Sequence, residues 1–161
     1  MNQPSPADAV EIVEVPPDSA EARHCLVRYY SEIAERFDGG FDPDQSSAPT
    51  LEAFAPPGGT FVVMRRGEAL VGCGGFKRDT ADAAYLKRMW VAPEARGLGL
   101  GKRLLEVLEE RARALGYRTA RLETERTLTE AQQLYRSAGY REVPAFNDEL
   151  YAHHWFEKEL G

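Results

Sequence analysis

Side chains that bind metals or cross-link chains are scarce in this sequence. Its 161 residues include two cysteines, Cys25 and Cys73, and three histidines. The cysteines fit no C-x-x-C or Cys/His zinc spacing, so buried, reduced thiols are expected and no metal is implied. An excess of basic residues is missing too: Lys and Arg total 20 against 26 Asp and Glu, a formal net charge of -6 at pH 7. Binding to nucleic acid or to an anionic membrane would need the opposite sign, clustered. No apolar run approaches the roughly 20 residues that span a bilayer. Residues 1–8 lack the charged and apolar regions of a secretion signal, so a cytoplasmic location is expected. What is present is 43% apolar residues, enough to bury a core for one domain over residues 1–161, with a flexible tip at 1–9.

The most informative stretch is Arg96-Gly97-Leu98-Gly99-Leu100-Gly101-Lys102-Arg103. It follows an apolar run ending Met89-Trp90-Val91 and opens into Leu104, Leu105, Leu108, Ala112 and Leu115, a helical spacing. The reading is strand, glycine turn, helix. Alternating glycines leave the backbone bare, and a helix start behind them offers unpaired N–H groups and the positive end of the dipole. That combination suits a phosphate-bearing ligand. Arg96, Lys102 and Arg103 add local positive charge against the negative whole. Spacing then eliminates two phosphate fingerprints. A dinucleotide G-x-G-x-x-G fails because Leu104 stands where the third glycine belongs, and a G-x-x-x-x-G-K-[ST] loop fails because Arg103 replaces the Mg²⁺-holding hydroxyl.

Around this turn the chain alternates strand and helix signals. Val10, Ile12, Val13 and Val15 form a β-branched run closed by Pro16-Pro17. A helix follows, capped by Asp18 or Ser19, with apolar residues from Ala22 to Phe37 at helical spacing and a stop at Asp38-Gly39-Gly40. Residues 41–59, rich in proline and glycine, read as a long loop with at most one helical turn. Phe37, Phe41 and Phe54 mark it as a cover over the substrate side. Two strands of a hairpin turn near Gly67, and the glycines of the second, Gly72, Gly74 and Gly75, signal a bulge or a close backbone neighbour. Further strands are expected at about 83–91, 118–123, 140–143 and 153–158, with a helix opened by a Thr129-x-x-Gln132 capping box. The fold class is α/β (α+β), with helices packed on a mixed central sheet.

Two motifs resemble the GNAT superfamily of acyl-CoA N-acyltransferases over residues 61–158. Arg96-x-x-Gly99-x-Gly101 is similar to that family's R/Q-x-x-G-x-G/A pyrophosphate loop, and Ala131-x-x-Leu134-Tyr135-x-x-x-Gly139-Tyr140 to its A-x-x-L-Y-x-x-x-G-F/Y segment. The resemblance implies a mostly antiparallel sheet flanked by helices, acetyl-CoA as co-substrate and no metal. It implies that the amides of Arg96, Gly97, Leu98, Gly99, Gly101 and Lys102 hold the pyrophosphate, while the backbone of Met89, Trp90 and Val91 pairs with the pantetheine arm. Tyr135 would be the acid that protonates the departing thiolate, a role suited to a phenol of ordinary pKa near 10. An amine nucleophile must also lose a proton. Glu123, at the end of a strand where some relatives carry a glutamate base, is the candidate, with Glu125 the neighbouring alternative. Many relatives carry another acidic residue where Tyr85 stands here.

The implied reaction is transfer of an acetyl group to a primary amine of a small molecule or peptide by direct attack in a ternary complex. A CoA-binding or partner-binding module without turnover, or a longer acyl group, are the alternatives. Cys73 as an acyl carrier is remote, and His153, His154, Glu32, Arg36 and Tyr30 read as structural or exposed. No nucleic-acid or membrane partner is expected, and a homodimer would form by pairing the final strand, residues 151–158.

Overall fold

The computed structural model describes residues 9–47 and 50–161. Except for Ala9, the expected flexible tip lies outside the described residues, as do Ala48 and Pro49 of the long loop. The first β-branched run forms β1 (Val10–Glu14), and α1 (Ala20–Arg36) starts at Ser19, whose hydroxyl accepts from the Ala22 amide at 3.2 Å. Next come the hairpin β2 (Thr60–Arg66) and β3 (Ala69–Arg78), then β4 (Ala83–Val91) and α2 (Leu100–Ala114). The chain closes with β5 (Thr119–Thr124), α3 (Thr129–Ser137), β6 (Arg141–Val143) and β7 (His154–Glu159).

Among the described residues seven strands form one sheet in the order β1-β2-β3-β4-β5-β7-β6. Every neighbouring pair is antiparallel except β4 with β5. That parallel pairing is short: Ala83, Ala84 and Tyr85 face Thr119, Ala120 and Arg121, and the two strands then part. The parting coincides with a bulge. Cys73 pairs with Trp90 and Gly75 with Lys87, so Arg88 and Met89 together oppose Gly74 alone. Arg88 is left-handed, with φ of 61°. An added Cβ on Gly74 would turn toward Leu104 and Leu108 of α2, whereas its neighbour Cys73 meets Cys25 of α1. By strand alternation the two helices therefore cover opposite faces of the sheet. Both cysteines are free and buried.

Three local expectations change. Residues 41–59 hold two short 3₁₀ turns, Pro43–Gln45 and Glu52–Phe54. Phe54 is no cover: it is 0% exposed, edge-on to Phe61 at 6.5 Å, and an added Cβ on Gly75 would come within 3.1 Å of its ring. The Thr129-x-x-Gln132 box does not form. Leu128 is the cap residue and makes no side-chain cap bond, while Gln132 donates to the Arg126 carbonyl. Lastly, β7 runs between β5 and β6 with hydrogen bonds on both sides. Its centre, Trp155 to Glu157, is therefore already paired on both sides, and the outer strands are β1 and β6.

Phe54→Ala is therefore expected to lower the unfolding free energy by about 3–5 kcal/mol, the cost of emptying a core aromatic site. Urea unfolding followed by circular dichroism measures it; a change under about 1 kcal/mol would return Phe54 to the role of a cover.

Candidate functional site

Where β4 and β5 part, two cavities open. The larger, about 410 Å³, is lined by Met89, Trp90 and Val91 of β4 and by Arg96, Gly97, Gly99, Gly101 and Lys102 of the turn. The smaller, about 110 Å³, is lined by Glu123, Thr124 and Glu125 at the end of β5, with Lys87, Arg88 and Glu149. Tyr29, Ile33, Met89, Leu128, Ala131 and Tyr135 line both, so the cavities meet at these six side chains.

Most of the turn arrives as its sequence suggests. Gly97 and Gly99 are left-handed, with φ of 83° and 75°, and a Cβ on either would meet nothing within 4 Å. Gly99 caps α2 without any side-chain bond, which leaves the first-turn amides bare toward the larger cavity. A phosphate-bearing ligand fits this cradle. Leu98 does not line the cavity and packs against the core instead. Arg96 is engaged elsewhere: its Nε donates to the Val91 carbonyl at 3.0 Å and its guanidinium pairs with Glu32 at 2.6 Å. Arg36 makes a second tie from α1, to Glu130 and to the Thr127 carbonyl at 3.0 Å. Lys102, 70% exposed and 4.0 Å from Glu106, keeps its charge near the turn.

Tyr135 is 8% exposed, its ring set against Tyr140 and Phe156. Burial pushes its phenol well above the ordinary value, and Tyr29 and Glu123 nearby push the same way. Tyr29, across the junction, is raised for the same first reason. Both phenols therefore hold their protons at neutral pH.

Beyond them lies a buried polar cluster. Lys87 donates to Glu149 Oε1 at 2.7 Å, to Glu123 Oε1 at 3.1 Å, to Ser47 Oγ at 3.1 Å and to the Tyr85 hydroxyl at 3.2 Å. Tyr85 in turn donates to Glu123. Asn147 orients the loop side, donating to Tyr85 at 3.1 Å and accepting from Trp155 at 2.9 Å and from the Glu149 amide at 3.2 Å. Burial raises the pKa of Glu123, against the lowering effects of Lys87 and Tyr85. Its Oε2 and the Oε2 of Glu149 are buried with no hydrogen-bond partner.

The other candidates separate from this cluster. Glu125 accepts from the Thr127 amide at 2.9 Å and from its hydroxyl, which braces the turn into α3. His153 accepts from the Arg126 amide, and His154 pairs with Glu142 at 2.9 Å away from both cavities. Tyr30 stacks on Phe41 and under the Arg88 guanidinium, whose NH2 donates to Ser46 at 2.8 Å. Sequence reasoning missed Tyr29, Lys87, Arg88 and Glu149. The Tyr85-x-Lys87 alternation on a strand was a signal that both face one way; for Glu149, in a loop, there was none.

The comparisons agree with this geometry. The model of the acetyltransferase (GNAT) family matches residues 24–140, from α1 through the cavities to the end of α3. An IAA acetyltransferase from Azospirillum brasilense is 39% identical over 118 residues, which are 71% of this chain and 76% of that one. An N-acetyltransferase of Schizosaccharomyces pombe, itself uncharacterized, is 31% identical over 142 residues, 83% and 82% of the two chains. Among solved structures, an acetyltransferase of the GNAT family from Staphylococcus aureus superposes with a TM-score of 0.79 at 22% identity, over 94% of this chain and 99% of that one. A GNAT acetyltransferase from Elizabethkingia anophelis with acetyl-CoA bound gives 0.67 at 16% identity, over 94% and 99%. With its parted sheet, its glycine turn and the family model lying over both, the chain belongs to the acetyltransferase (GNAT) family.

Proposed function

We propose that the protein transfers the acetyl group of acetyl-CoA to a primary amine by direct attack within a ternary complex. The observation that carries this reading is the meeting of the two cavities at Tyr135, with the bare helix start at one end and the buried Glu123 at the other. In it, the amides at Gly97, Gly99 and Gly101 hold the pyrophosphate, and the β4 backbone beyond Tyr85, unpaired on its β5 side, lies beside the pantetheine arm. The relative named IAA acetyltransferase favours acetyl as the group carried.

The acceptor arrives as an ammonium, and its nitrogen gives one proton to the ionised carboxylate of Glu123. The neutral amine attacks the thioester carbonyl carbon, the C–N bond forms and the C–S bond breaks. The leaving thiolate takes the proton of Tyr135, the second amine proton passes through solvent to the Tyr135 phenolate as the amide forms, and Glu123 returns its proton to solvent, so one proton leaves per turnover. The chain contributes mainly alignment of amine against thioester, together with two proton positions whose pKa values burial has adjusted.

Three outcomes follow from these roles. Gly99→Glu places a carboxylate in the open space before α2, so calorimetric titration is expected to show acetyl-CoA binding in the wild type and none in the folded variant. Tyr135→Phe is expected to bind acetyl-CoA normally and to lose about 10²–10⁴-fold in kcat; an unchanged kcat would remove the phenol from the reaction. Because Glu123 acts ionised and burial raises its pKa, kcat/KM should fall with decreasing pH at a point above the ordinary glutamate value of about 4.3. A pH profile of the wild type and of Glu123→Gln tests this, the acidic limb being expected to vanish with whatever activity the variant keeps. Acetyl-CoA binding without CoA release across a panel of amines would favour the module that lacks turnover.

A further inference from the structure

We infer that the acceptor is captured as an alkylammonium ion, held between Glu123 Oε2 and Glu149 Oε2 at the floor of the smaller cavity. The inference rests on the acyl-transfer reading above and names the substrate class of that same site. Lys87 sits between two carboxylates, bonded to Oε1 of each. Its three N–H groups already face four acceptors within 3.2 Å, so it has none to offer the remaining oxygens. Those two oxygens are buried and bond to nothing, on side chains that are each 5% exposed. A buried carboxylate oxygen without a donor is costly, and a fold retains two of them, on carboxylates joined by one lysine, only where something else supplies the donors.

The charges point to what that donor is. Two carboxylates share one ammonium, which leaves the cluster a positive charge short. Two other charged side chains line the cavity, and both are turned to other partners: Arg88 lies over the Tyr30 and Phe41 rings and donates to Ser46, and Glu125 braces Thr127. A second ammonium restores neutrality and brings three N–H donors, enough for both free oxygens. Above the carboxylates the walls are Ile33, Phe37, Phe41 and Tyr151, with Phe41 and Tyr151 rings 4.6 Å apart. Such walls suit an alkyl stem and strengthen the charge interaction by excluding water. A neutral nucleophile brings fewer donors and no charge, and so leaves the deficit in place.

The test uses two acceptors of the same shape. n-Butylamine is an ammonium at pH 7, whereas O-propylhydroxylamine, with oxygen in place of one methylene, is neutral. Both are offered with saturating acetyl-CoA, and CoA release gives KM for each. The expected KM for n-butylamine is about tenfold or more below that for O-propylhydroxylamine, the usual worth of a charge-assisted bond. In Glu149→Gln the ratio of the two is expected to collapse toward one. Equal KM values in the wild type overturn the inference while leaving acyl transfer standing, and no variant has to fold for that result. A ratio that survives Glu149→Gln in a folded sample overturns it as well. If neither compound is acetylated although acetyl-CoA binds, the acyl-transfer reading fails and this inference with it.

Discussion

The bulge in β4 is the constraint on which the rest of this molecule depends. A sheet of seven strands would ordinarily close its hydrogen bonds from edge to edge, leaving no room for a ligand between neighbours. Here Arg88 and Met89 share one opposing residue, and beyond Tyr85 the fourth strand leaves the fifth. A left-handed arginine costs of order 1–3 kcal/mol and survives only where its surroundings hold it. They do: its guanidinium lies over the Tyr30 and Phe41 rings at 5.4 and 5.8 Å, and its carbonyl accepts from Cys73 at 3.3 Å. Gly74 makes the other half of the accommodation, since its bare Cα faces Met89, Leu104 and Leu108 at close quarters. The distortion at Arg88 and Met89 thus sits where both cavities open, while β4 stays paired with β3 on either side of it.

The buried cluster of Lys87, Glu123 and Glu149 cannot be explained as a stabilising device. Taking ions out of water costs several kcal/mol each, and their mutual attraction offsets this only when every polar atom is matched. Two oxygens here are not. Desolvation also dominates the titration of Glu123, raising its pKa although an ammonium and a phenol both bond to it. A carboxylate so placed takes a proton readily, which is a property of use to a reaction and of none to the core. Tyr135, raised by the same burial on the other side of the junction, is a phenol that stays protonated until a strong base develops beside it.

Local patterns carried most of this architecture in the open. Period-two and period-3.6 runs located the strands and helices because each buries one face, and Ser19 and Gly39 marked the two ends of the first helix by their own local chemistry. The glycine turn was legible for the same reason: bare backbone before a helix is a local property. What stayed hidden depends on contacts distant in sequence. Phe54 looked like loop because its neighbours are prolines and glycines, and only Phe61 and Gly75 show it to be core. The last strand looked like an edge because nothing in its sequence records that β6 adds outside it. Glu149 lies 62 residues from Lys87, and no spacing rule joins a loop carboxylate to a strand amine.

Arg96 shows how a correct pattern can conceal a different use of a side chain. Its position in the turn matches the pyrophosphate loop, yet its guanidinium is held by Glu32 of α1 and by a β4 carbonyl. Arg36 and Glu130 repeat the tie one helical turn along, so α1 is fastened to both walls of the larger cavity. These pairs are partly exposed, and pairs of that kind are worth about 0–1 kcal/mol. In the proposed reaction an arriving phosphate, with more charge than a carboxylate, would compete for Arg96 on favourable terms, and Glu32 would turn to solvent at little cost. On the proposed reading, anion binding at this turn therefore does not depend on a free arginine. It rests first on the bare amides before α2, whose direction the backbone fixes before any ligand arrives.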